Sequence, residues 1–275
     1  MKSNFLTGTD KGMVRAGNQD SFYADPSGRF CIVADGMGGH AGGEEASRIA
    51  IETIVSYVNQ NWQEGSEPTI LLEKSMLAAN EAIVADQQVN TARSDMGTTA
   101  VMLLFEETKV WAANVGDSRL YRFRDGELTQ ITEDDTWVAR AMKMQQLTAD
   151  EARTHHLRHV LSHCLGRRDL DLRPESIQTI DVRQNDLILL CSDGLTEEVS
   201  DQEIASLIKT VPTNELPQAL IETAKTNGGS DNITVILGIV EGVSLPDQVI
   251  ESAPEITGAD SFKDEPLEES VTEQA

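Results

Sequence analysis

Short apolar runs alternate with longer amphipathic stretches along the chain, and the two patterns predict different elements. The short runs are rich in apolar and β-branched residues, which is typical of buried strands, and they are residues 30–34, 98–105, 110–115, 120–123, 186–191 and 233–240. Residues 106–109 separate the second run from the third, and a gap of that length predicts an antiparallel hairpin. Arg124-Asp125-Gly126 carries the Asp-Gly signal of another tight turn.

The amphipathic stretches predict helices. Within residues 43–62, apolar side chains recur at helical spacing and share one face, namely Ala46, Ile49, Ala50, Ile54 and Val58. Residues 70–89 repeat this pattern, and residues 200–208 and 214–226 are shorter amphipathic stretches. Antiparallel strands with segregated helices predict an α+β layered architecture rather than a doubly wound parallel sheet.

Composition and charge narrow the function classes. The net charge of −24 disfavours nucleic acid and anionic membrane surfaces, because both would be repelled. No apolar run approaches the roughly 20 residues that span a bilayer, and the first ten residues lack the apolar stretch of a signal peptide, so we expect a cytoplasmic protein. Cys31, Cys164 and Cys191 show no CxxC spacing, which predicts free, buried thiols.

Residues 241–275 differ from the rest of the chain. They hold ten acidic residues against one lysine, Lys263, and three prolines, with no helical periodicity. This composition predicts an acidic, disordered tail. We therefore expect one folded domain over residues 1–240, followed by a tail over residues 241–275.

The strongest local feature is a glycine-rich turn after an apolar run, Ala34-Asp35-Gly36-Met37-Gly38-Gly39-His40. A strand would hold the carboxylate rigidly, and glycines let backbone carbonyls approach a cation. Such a turn before a helix is also compatible with a phosphate-binding loop, but no Gly-Lys-Ser/Thr follows and Glu44-Glu45 would repel phosphate. A purely structural turn is the remaining alternative.

Four further aspartates stand at predicted strand ends or in the loops beside them: Asp20, Asp117, Asp193 and Asp231. Each of them alone is most readily explained as a turn residue. If the sheets bring them together with Asp35, however, they form an oxygen-rich pocket for hard divalent cations. Mg²⁺ or Mn²⁺ fits such a pocket better than Zn²⁺, since no cysteine or histidine set accompanies it.

Six motifs appear in the order in which type-2C, metal-dependent (PPM) protein phosphatases carry them: Arg15…Asp20, Asp35-Gly-Met-Gly-Gly-His40, Met96-Gly-Thr-Thr-Ala100, Gly116-Asp-Ser-Arg119, Cys191-Ser-Asp-Gly194 and Asp231-Asn-Ile-Thr234. The chain resembles this family over about residues 5–240, and it is most similar to the compact bacterial members, among them the phosphatase of the PII nitrogen-signalling protein. The resemblance implies a sandwich of two antiparallel β-sheets flanked by pairs of α-helices, in αββα layers. It also implies a catalytic domain within residues 1–240 and a flap subdomain at about residues 136–173.

The resemblance further implies a centre of two Mn²⁺ or Mg²⁺ ions at one edge of the sheets. Asp35 would bridge the two ions, and the Gly36 carbonyl would bind one of them. Asp193 and Asp231 would hold the other ion, whereas Asp20 would act mainly through metal-bound water. Two such cations lower the pKa of a bridging water and clamp the phosphoryl oxygens, so that a metal-bridging hydroxide attacks phosphorus in line, without a phospho-enzyme.

Further roles follow from the same resemblance. Asp117 would join Asp193 in binding a weaker third Mg²⁺ or Mn²⁺ ion. Arg15 would hold the substrate phosphate, since a planar guanidinium matches phosphate oxygens in pairs. His40 is a candidate general acid for the leaving alkoxide, and its alternative is a histidine that merely lines the turn.

The flap and its neighbourhood carry arginines, histidines and one aspartate that suggest further roles. The basic residues of the flap stand out in an acidic protein. They predict that the flap contacts the phosphoprotein substrate and sets the specificity of the enzyme; the candidates are Arg153, Arg158, Arg167 and Arg168. Asp135 stands where family members often carry a histidine, which puts any role of that histidine in doubt. His159 and His163 are four residues apart and would bind a transition metal only if they lay on one helix with a third ligand; a surface cluster is the alternative.

We therefore predict a phosphoprotein phosphatase that acts on phosphoserine and phosphothreonine as a monomer, with a PII-type protein as candidate substrate and no nucleic acid or membrane partner. One alternative is a phosphatase-shaped binding module without catalysis, which would lack some of the metal carboxylates that this chain retains. Another alternative is a small-molecule phosphoesterase, because similar two-metal chemistry acts on small esters. A nuclease is disfavoured by the net charge.

Overall fold

Two antiparallel β-sheets stack face to face at the centre of the molecule. The structure, a computed structural model, describes residues 2–63, 66–106 and 109–241, and it describes their side chains except those of Lys2, His40, Ala41, Pro174 and Glu241. The acidic segment 242–275, which the sequence predicts to be a disordered tail, lies outside the described residues.

Eleven strands lie in the described ranges, and they are β1 (Lys2–Asp10), β2 (Asp20–Ala24), β3 (Phe30–Met37), β4 (Gly97–Thr98), β5 (Ala100–Glu106), β6 (Lys109–Val115), β7 (Arg119–Arg124), β8 (Glu127–Gln130), β9 (Ile177–Ile180), β10 (Leu187–Cys191) and β11 (Ile233–Glu241). Over these residues one sheet has the strand order β1-β11-β10-β7-β8. The other has the order β2-β3-β5-β6-β9, with β4 paired to β3.

Seven α-helices accompany the strands over the same residues, and they are α1 (Gly39–Asn61), α2 (Pro68–Val89), α3 (Trp137–Lys143), α4 (Ala149–Thr154), α5 (Asp193–Thr196), α6 (Asp201–Thr210) and α7 (Leu216–Asn227). Capping boxes start two of them, because Thr148 and Ser200 each accept a hydrogen bond from the backbone three residues on while Glu151 and Glu203 reach back. No helix of the described structure combines the length and the apolarity that crossing a membrane would require.

Three apolar layers hold the sandwich together. Buried side chains of β3, β5 and β6 meet those of β7, β10 and β11 between the sheets, as Val33, Leu103 and Ile188 do. On one outer face, α1 and α2 pack on the second sheet through residues such as Ile54. On the other, α6 and α7 pack on the first sheet through residues such as Leu220. The predicted α+β layers with helices on both outer faces are therefore confirmed.

Several local predictions are confirmed and several are wrong. The hairpin of β5 and β6 pairs antiparallel, with Ala100 opposite Val115, and Asp125 and Gly126 both adopt positive φ in the turn between β7 and β8, as two-residue hairpins require. Helix α1 begins at Gly39, four residues earlier than predicted. Strands β1, β2, β8 and β9 were not predicted at all, because each carries at most three apolar residues and none holds an apolar run of four or more.

The sheet registers bring several strand ends to one edge of the sandwich. Asp20 at the start of β2 lies opposite Asp35 near the end of β3. In the other sheet, the end of β10 at Cys191 pairs with Arg119 at the start of β7 and with Val235 near the start of β11. The loops that continue from these ends carry the remaining candidate aspartates, so this edge is where the site is found.

Candidate metal centre

Asp35 and the glycine after it occupy the most crowded point of this edge. The Asp35 amide donates to Thr99 Oγ1 at 2.9 Å, and its carbonyl accepts from Thr98 Oγ1 at 2.8 Å, so the backbone on both sides of the carboxylate is fixed. A Cβ on Gly36 would lie 2.0 Å from the carbonyl oxygen of Gly43. Only glycine permits this approach of β3 to the first turn of α1, which keeps the Gly36 backbone within the site.

The remaining aspartates arrive from the ends of other elements. Asp193 is the first residue of α5 after β10. Asp231 lies two residues before β11, and Asp117 lies in the turn between β6 and β7. The carboxyl groups of Asp35 and Asp193 interact directly, so the two sheets meet at this contact. Asp20 lies close enough for its charge to raise the pKa of Asp35.

Burial raises the pKa of these carboxyl groups. The pKa values of Asp35 and Asp117 are held well above the usual range, chiefly by desolvation and then by the neighbouring carboxylates. Desolvation likewise raises the pKa of Asp193. It raises the pKa of Asp20 to about 7, although hydrogen bonds from Thr234 and Ser192 oppose the shift. Burial and mutual repulsion of the carboxylates therefore disfavour their ionised forms unless a cation compensates the negative charge.

The oxygen atoms of the cluster fit divalent cations. Asp20 Oδ1 and Asp193 Oδ1 are buried and have no hydrogen-bond partner among the described residues, a state that costs free energy unless a ligand completes it. Several carboxylates that repel one another, with free lone pairs and no thiolate among them, are the donor set that Mg²⁺ and Mn²⁺ prefer.

Arg15 lies at the rim of the cluster. Its side chain is half exposed and forms an ion pair with Asp231, with Nη2 2.5 Å from Oδ2. The guanidinium therefore lies beside the carboxylates and still faces solvent. The backbone of His40 belongs to the first turn of α1, whereas its side chain lies outside the described part of the structure.

Two polar residues inside the predicted motifs have structural tasks that the sequence did not reveal. Asn232 accepts the Gln19 amide at 2.8 Å and donates to the carbonyls of Lys11 and Gly17, each at 2.9 Å, so it anchors the loop that carries Arg15. Ser192 donates to Asp20 Oδ2 at 2.8 Å and accepts the Thr234 amide at 2.9 Å. Their position next to Asp231 and Asp193 was the only signal in the sequence.

His159 and His163 of the flap lie in different surroundings, and each contacts a different carboxylate. Residues 155–163 form turns rather than a helix, so His159 and His163 do not meet the helical condition under which they would bind a transition metal together. His159 forms an ion pair with Glu197, and His163 Nδ1 lies 3.3 Å from Asp135 Oδ1. His159, Glu197 and Asp193 bring one potential ligand atom each within 4.8 Å of one another, which places this part of the flap against the carboxylate cluster.

Asp135 connects the flap to the Asp117 turn. Its buried carboxylate accepts the Gly116 amide at 3.1 Å and pairs with Arg173 Nη2 at 2.7 Å. Its backbone carbonyl accepts the Ser162 amide at 2.7 Å. The aspartate at this position therefore has a structural role of its own, since it links the Asp117 turn, Arg173 and the flap backbone.

Replacing Asp135 with alanine is expected to lower the free energy of unfolding by about 3–5 kcal/mol, because it removes the buried carboxylate that pairs with the largely buried Arg173 guanidinium and leaves it only the exposed Glu175. Denaturant unfolding measures this loss. Glu175→Gln is the matched control, since Glu175 is an exposed partner of the same Arg173 at 3.5 Å and should change stability by less than about 1 kcal/mol. Equal losses in the two variants would contradict the network.

The comparisons with known proteins agree with this geometry. The family model for protein phosphatase 2C matches residues 7–237, and the chain therefore belongs to the protein phosphatase 2C family. The serine/threonine protein phosphatase PstP of Mycobacterium tuberculosis is 36% identical over 259 residues, which is 94% of this chain but 48% of that protein. The chain thus spans about half the length of this relative. The serine/threonine phosphatase stp of Listeria monocytogenes is 33% identical over 83% of this chain and 92% of its own length.

Solved structures show the same fold. The crystal structure of the M. tuberculosis PstP phosphatase superposes with a TM-score of 0.81 at 36% identity, covering 88% of this chain and all of the other. A structure of the PstP catalytic domain in complex with two manganese ions has a TM-score of 0.77 at 35% identity, covering 86% of this chain and 98% of the other. The predicted family and the predicted sandwich are confirmed, whereas the resemblance to a PII phosphatase stays a prediction.

Proposed function

We propose that the chain is a metal-dependent phosphoprotein phosphatase that hydrolyses phosphoserine and phosphothreonine esters, with residues 1–240 as its catalytic domain. The observation that carries this proposal is the buried carboxylate cluster, in which Asp20, Asp35, Asp117 and Asp193 come from both sheets in a chain of the protein phosphatase 2C family. Two relatives of which the chain covers most of the length are named serine/threonine phosphatase stp and protein phosphatase PhpP, and these names support the same substrate class.

Two Mn²⁺ or Mg²⁺ ions are the proposed cofactors. The Asp35 carboxylate and the Gly36 carbonyl would hold one ion, and Asp35, Asp193 and Asp231 the other, with Asp20 acting through water. Asp117 and Asp193 would hold a weaker third ion. The manganese ions of the related PstP domain support the choice of metal. When bound, such ions supply an activated water and neutralise the charge of the phosphoryl oxygens.

The chain's own residues bind and orient the ester. Arg15 would turn its exposed guanidinium from Asp231 to two oxygens of the phosphate, since bidentate pairing fits both groups. His40, on the first turn of α1, is the proposed proton donor to the leaving alkoxide. The flap arginines 153, 158, 167 and 168 would contact the protein that bears the phosphate.

The cellular setting is also part of the proposal. Free, buried thiols at Cys31, Cys164 and Cys191 are typical of a reducing compartment, which supports a cytoplasmic enzyme. We expect it to act as a monomer on a phosphorylated signalling protein, and a PII-type protein is one candidate that rests on resemblance alone.

Substrate comparison separates a protein phosphatase from a small-molecule phosphoesterase. In Mn²⁺, kcat/KM for a phosphothreonine peptide should exceed that for a sugar phosphate by at least about tenfold, because binding energy from residues beside the phosphate adds to catalysis. Phosphate release from both substrates at matched concentrations measures this ratio. A higher value for the sugar phosphate would favour the phosphoesterase, and turnover of neither by folded, metal-loaded protein would favour a binding module.

A further inference from the structure

A cavity of about 300 Å³ opens beside the carboxylate cluster. Met37, which follows Asp35 by two residues in β3, forms one wall, and Gly97, its partner in β4, continues that wall. Cys164, Arg167 and Arg168 from the end of the flap form the other side. The cavity is therefore part of the approach to the site and not a separate pocket elsewhere on the molecule.

The backbone that carries the two arginines is fixed by side chains of α2. Asn80 accepts the amides of Gly166 and Arg167 at 2.8 and 2.9 Å, and it donates to the Arg167 carbonyl at 2.9 Å. Gln87 donates to the carbonyls of Met96 and Gly166 at 2.6 and 2.9 Å. The arginines thus extend from a rigid edge, which lowers the entropy that a ligand must remove on binding.

Among the described residues, Arg167 and Arg168 lack the carboxylate partner that every arginine before the flap has, a state that they share with Arg140, Arg153, Arg158 and Arg183. The seven arginines that precede the flap each have a carboxylate oxygen within 4.0 Å, and they are Arg15, Arg29, Arg48, Arg93, Arg119, Arg122 and Arg124. Among the described residues no carboxylate lies that close to Arg167 or Arg168. Both side chains are exposed, so their charges are available to a ligand.

Acidic groups also line the region and must be counted. Asp95 and Asp169 border the same cavity, and Glu81 borders a smaller hollow on the far side of Arg168. The Arg167 guanidinium and the Asp117 carboxylate both act on the Cys164 thiol, which lines the cavity. Two arginines and two aspartates therefore share the border of the cavity, and the arginines are the groups that can pair with an acidic ligand.

We propose that the Arg167–Arg168 edge binds an acidic side chain of the phosphoprotein substrate, two residues away from the phosphorylated residue. The inference rests on the proposed function and names its substrate class. An extended peptide rises about 3.3 Å per residue, so a side chain two residues from the phosphorylated one lies about 6.6 Å further along. Met37, which lines the cavity, is likewise two residues beyond Asp35 in the extended strand β3. A protein of net charge −24 repels acidic peptides in general, so a local cationic edge is what would let one dock.

Four phosphothreonine peptides test the proposal, with glutamate at position −2, at +2, at both or at neither, the remaining positions being alanine or glycine. The wild type should show kcat/KM about five- to tenfold higher for at least one glutamate peptide than for the neutral one, and the preference should shrink at 0.5 M NaCl, as exposed ion pairs do. In R167A/R168A the ratio should fall to between about one and two. In R167E/R168E the neutral peptide should become the better substrate.

Arg183→Ala is the charge-matched control. Arg183 is an exposed arginine at the opposite end of β10 from Asp193, and its removal should leave the wild-type ratio intact. Equal turnover of all four peptides by the wild type would overturn the inference, as would a ratio that survives in R167A/R168A. If the wild type hydrolyses no phosphopeptide and no para-nitrophenyl phosphate in Mn²⁺, the proposed function itself is contradicted, and the inference falls with it.

Discussion

Replacing Asp35 with asparagine is expected to lower metal-dependent hydrolysis of phosphate esters by about a thousandfold or more. Asp35 is the carboxylate that touches both halves of the cluster, since it lies opposite Asp20 and contacts Asp193. The amide keeps the shape and removes the charge, and loss of several kcal/mol of metal-supported transition-state stabilisation corresponds to a factor of that size. Steady-state hydrolysis of para-nitrophenyl phosphate in Mn²⁺ measures the loss.

The same variant has a second expected effect, of opposite sign. Without metal, Asp35→Asn should unfold at a higher temperature than the wild type, because it removes one of several buried carboxylates that repel each other. Added Mn²⁺ should then stabilise the variant less than the wild type. Asp181→Asn is the control, since Asp181 is an exposed carboxylate that pairs with Arg124, and its activity should stay within about twofold of the wild type. An active Asp35→Asn enzyme would exclude Asp35 as a metal ligand.

Removal of metal is expected to reverse the usual dependence of stability on pH. The pKa values of Asp35, Asp117 and Asp193 are raised in the folded protein, and that of Asp20 rises from 3.8 to about 7. The stability that these protonated groups contribute is complete below pH 3.8 and is lost as pH rises through their folded pKa values. In EDTA the unfolding temperature should therefore fall by about 5–10 °C between pH 5 and pH 8.

Excess Mn²⁺ should remove this fall, because the cation binds the deprotonated carboxylates and its affinity increases with pH. Differential scanning calorimetry at several pH values, with EDTA and with Mn²⁺, gives both curves. Carboxylates with lowered pKa values make stability increase with pH instead. The pKa of Asp25, which pairs with Arg29, is lowered to about 2, so its effect lies below the range from pH 5 to pH 8. An unfolding temperature in EDTA that rises from pH 5 to pH 8 would contradict the account of the cluster.

Sequence patterns predicted the buried strands and the long helices because those elements bury continuous apolar faces. Residues 30–34 and 110–115 lie almost wholly within β3 and β6 for this reason. Strand β1 escaped prediction because its two adjacent apolar residues, Phe5 and Leu6, are flanked by polar residues and glycine. It is an edge strand, and among the described residues its single neighbour is β11. Strand β2 carries the site residue Asp20 and is half-buried along its length.

The parts of the candidate site that could be predicted are those in which the residue types of a short motif indicate the chemistry. Asp35 and Asp193 were found because a carboxylate after an apolar run, followed by glycine, has a local signature. Asp20, Asp117 and Asp231 lack that following glycine and were assigned from the motifs shared with the family. The contacts of Asp135 with Gly116 and Arg173, and of Asn80 with Gly166, join residues far apart in sequence. Nothing local distinguishes those side chains from surface polar residues, so only the fold reveals them.

The central claim is that the carboxylate cluster makes this chain a metal-dependent phosphatase, and hydrolysis of para-nitrophenyl phosphate tests it most directly. The purified protein is assayed in Mn²⁺, in EDTA and as Asp193→Ala in Mn²⁺. The account predicts turnover in Mn²⁺ that is lost in EDTA and in the variant, because Asp193 contacts Asp35 where the sheets meet. Turnover that persists in EDTA, or full activity of Asp193→Ala, would contradict it.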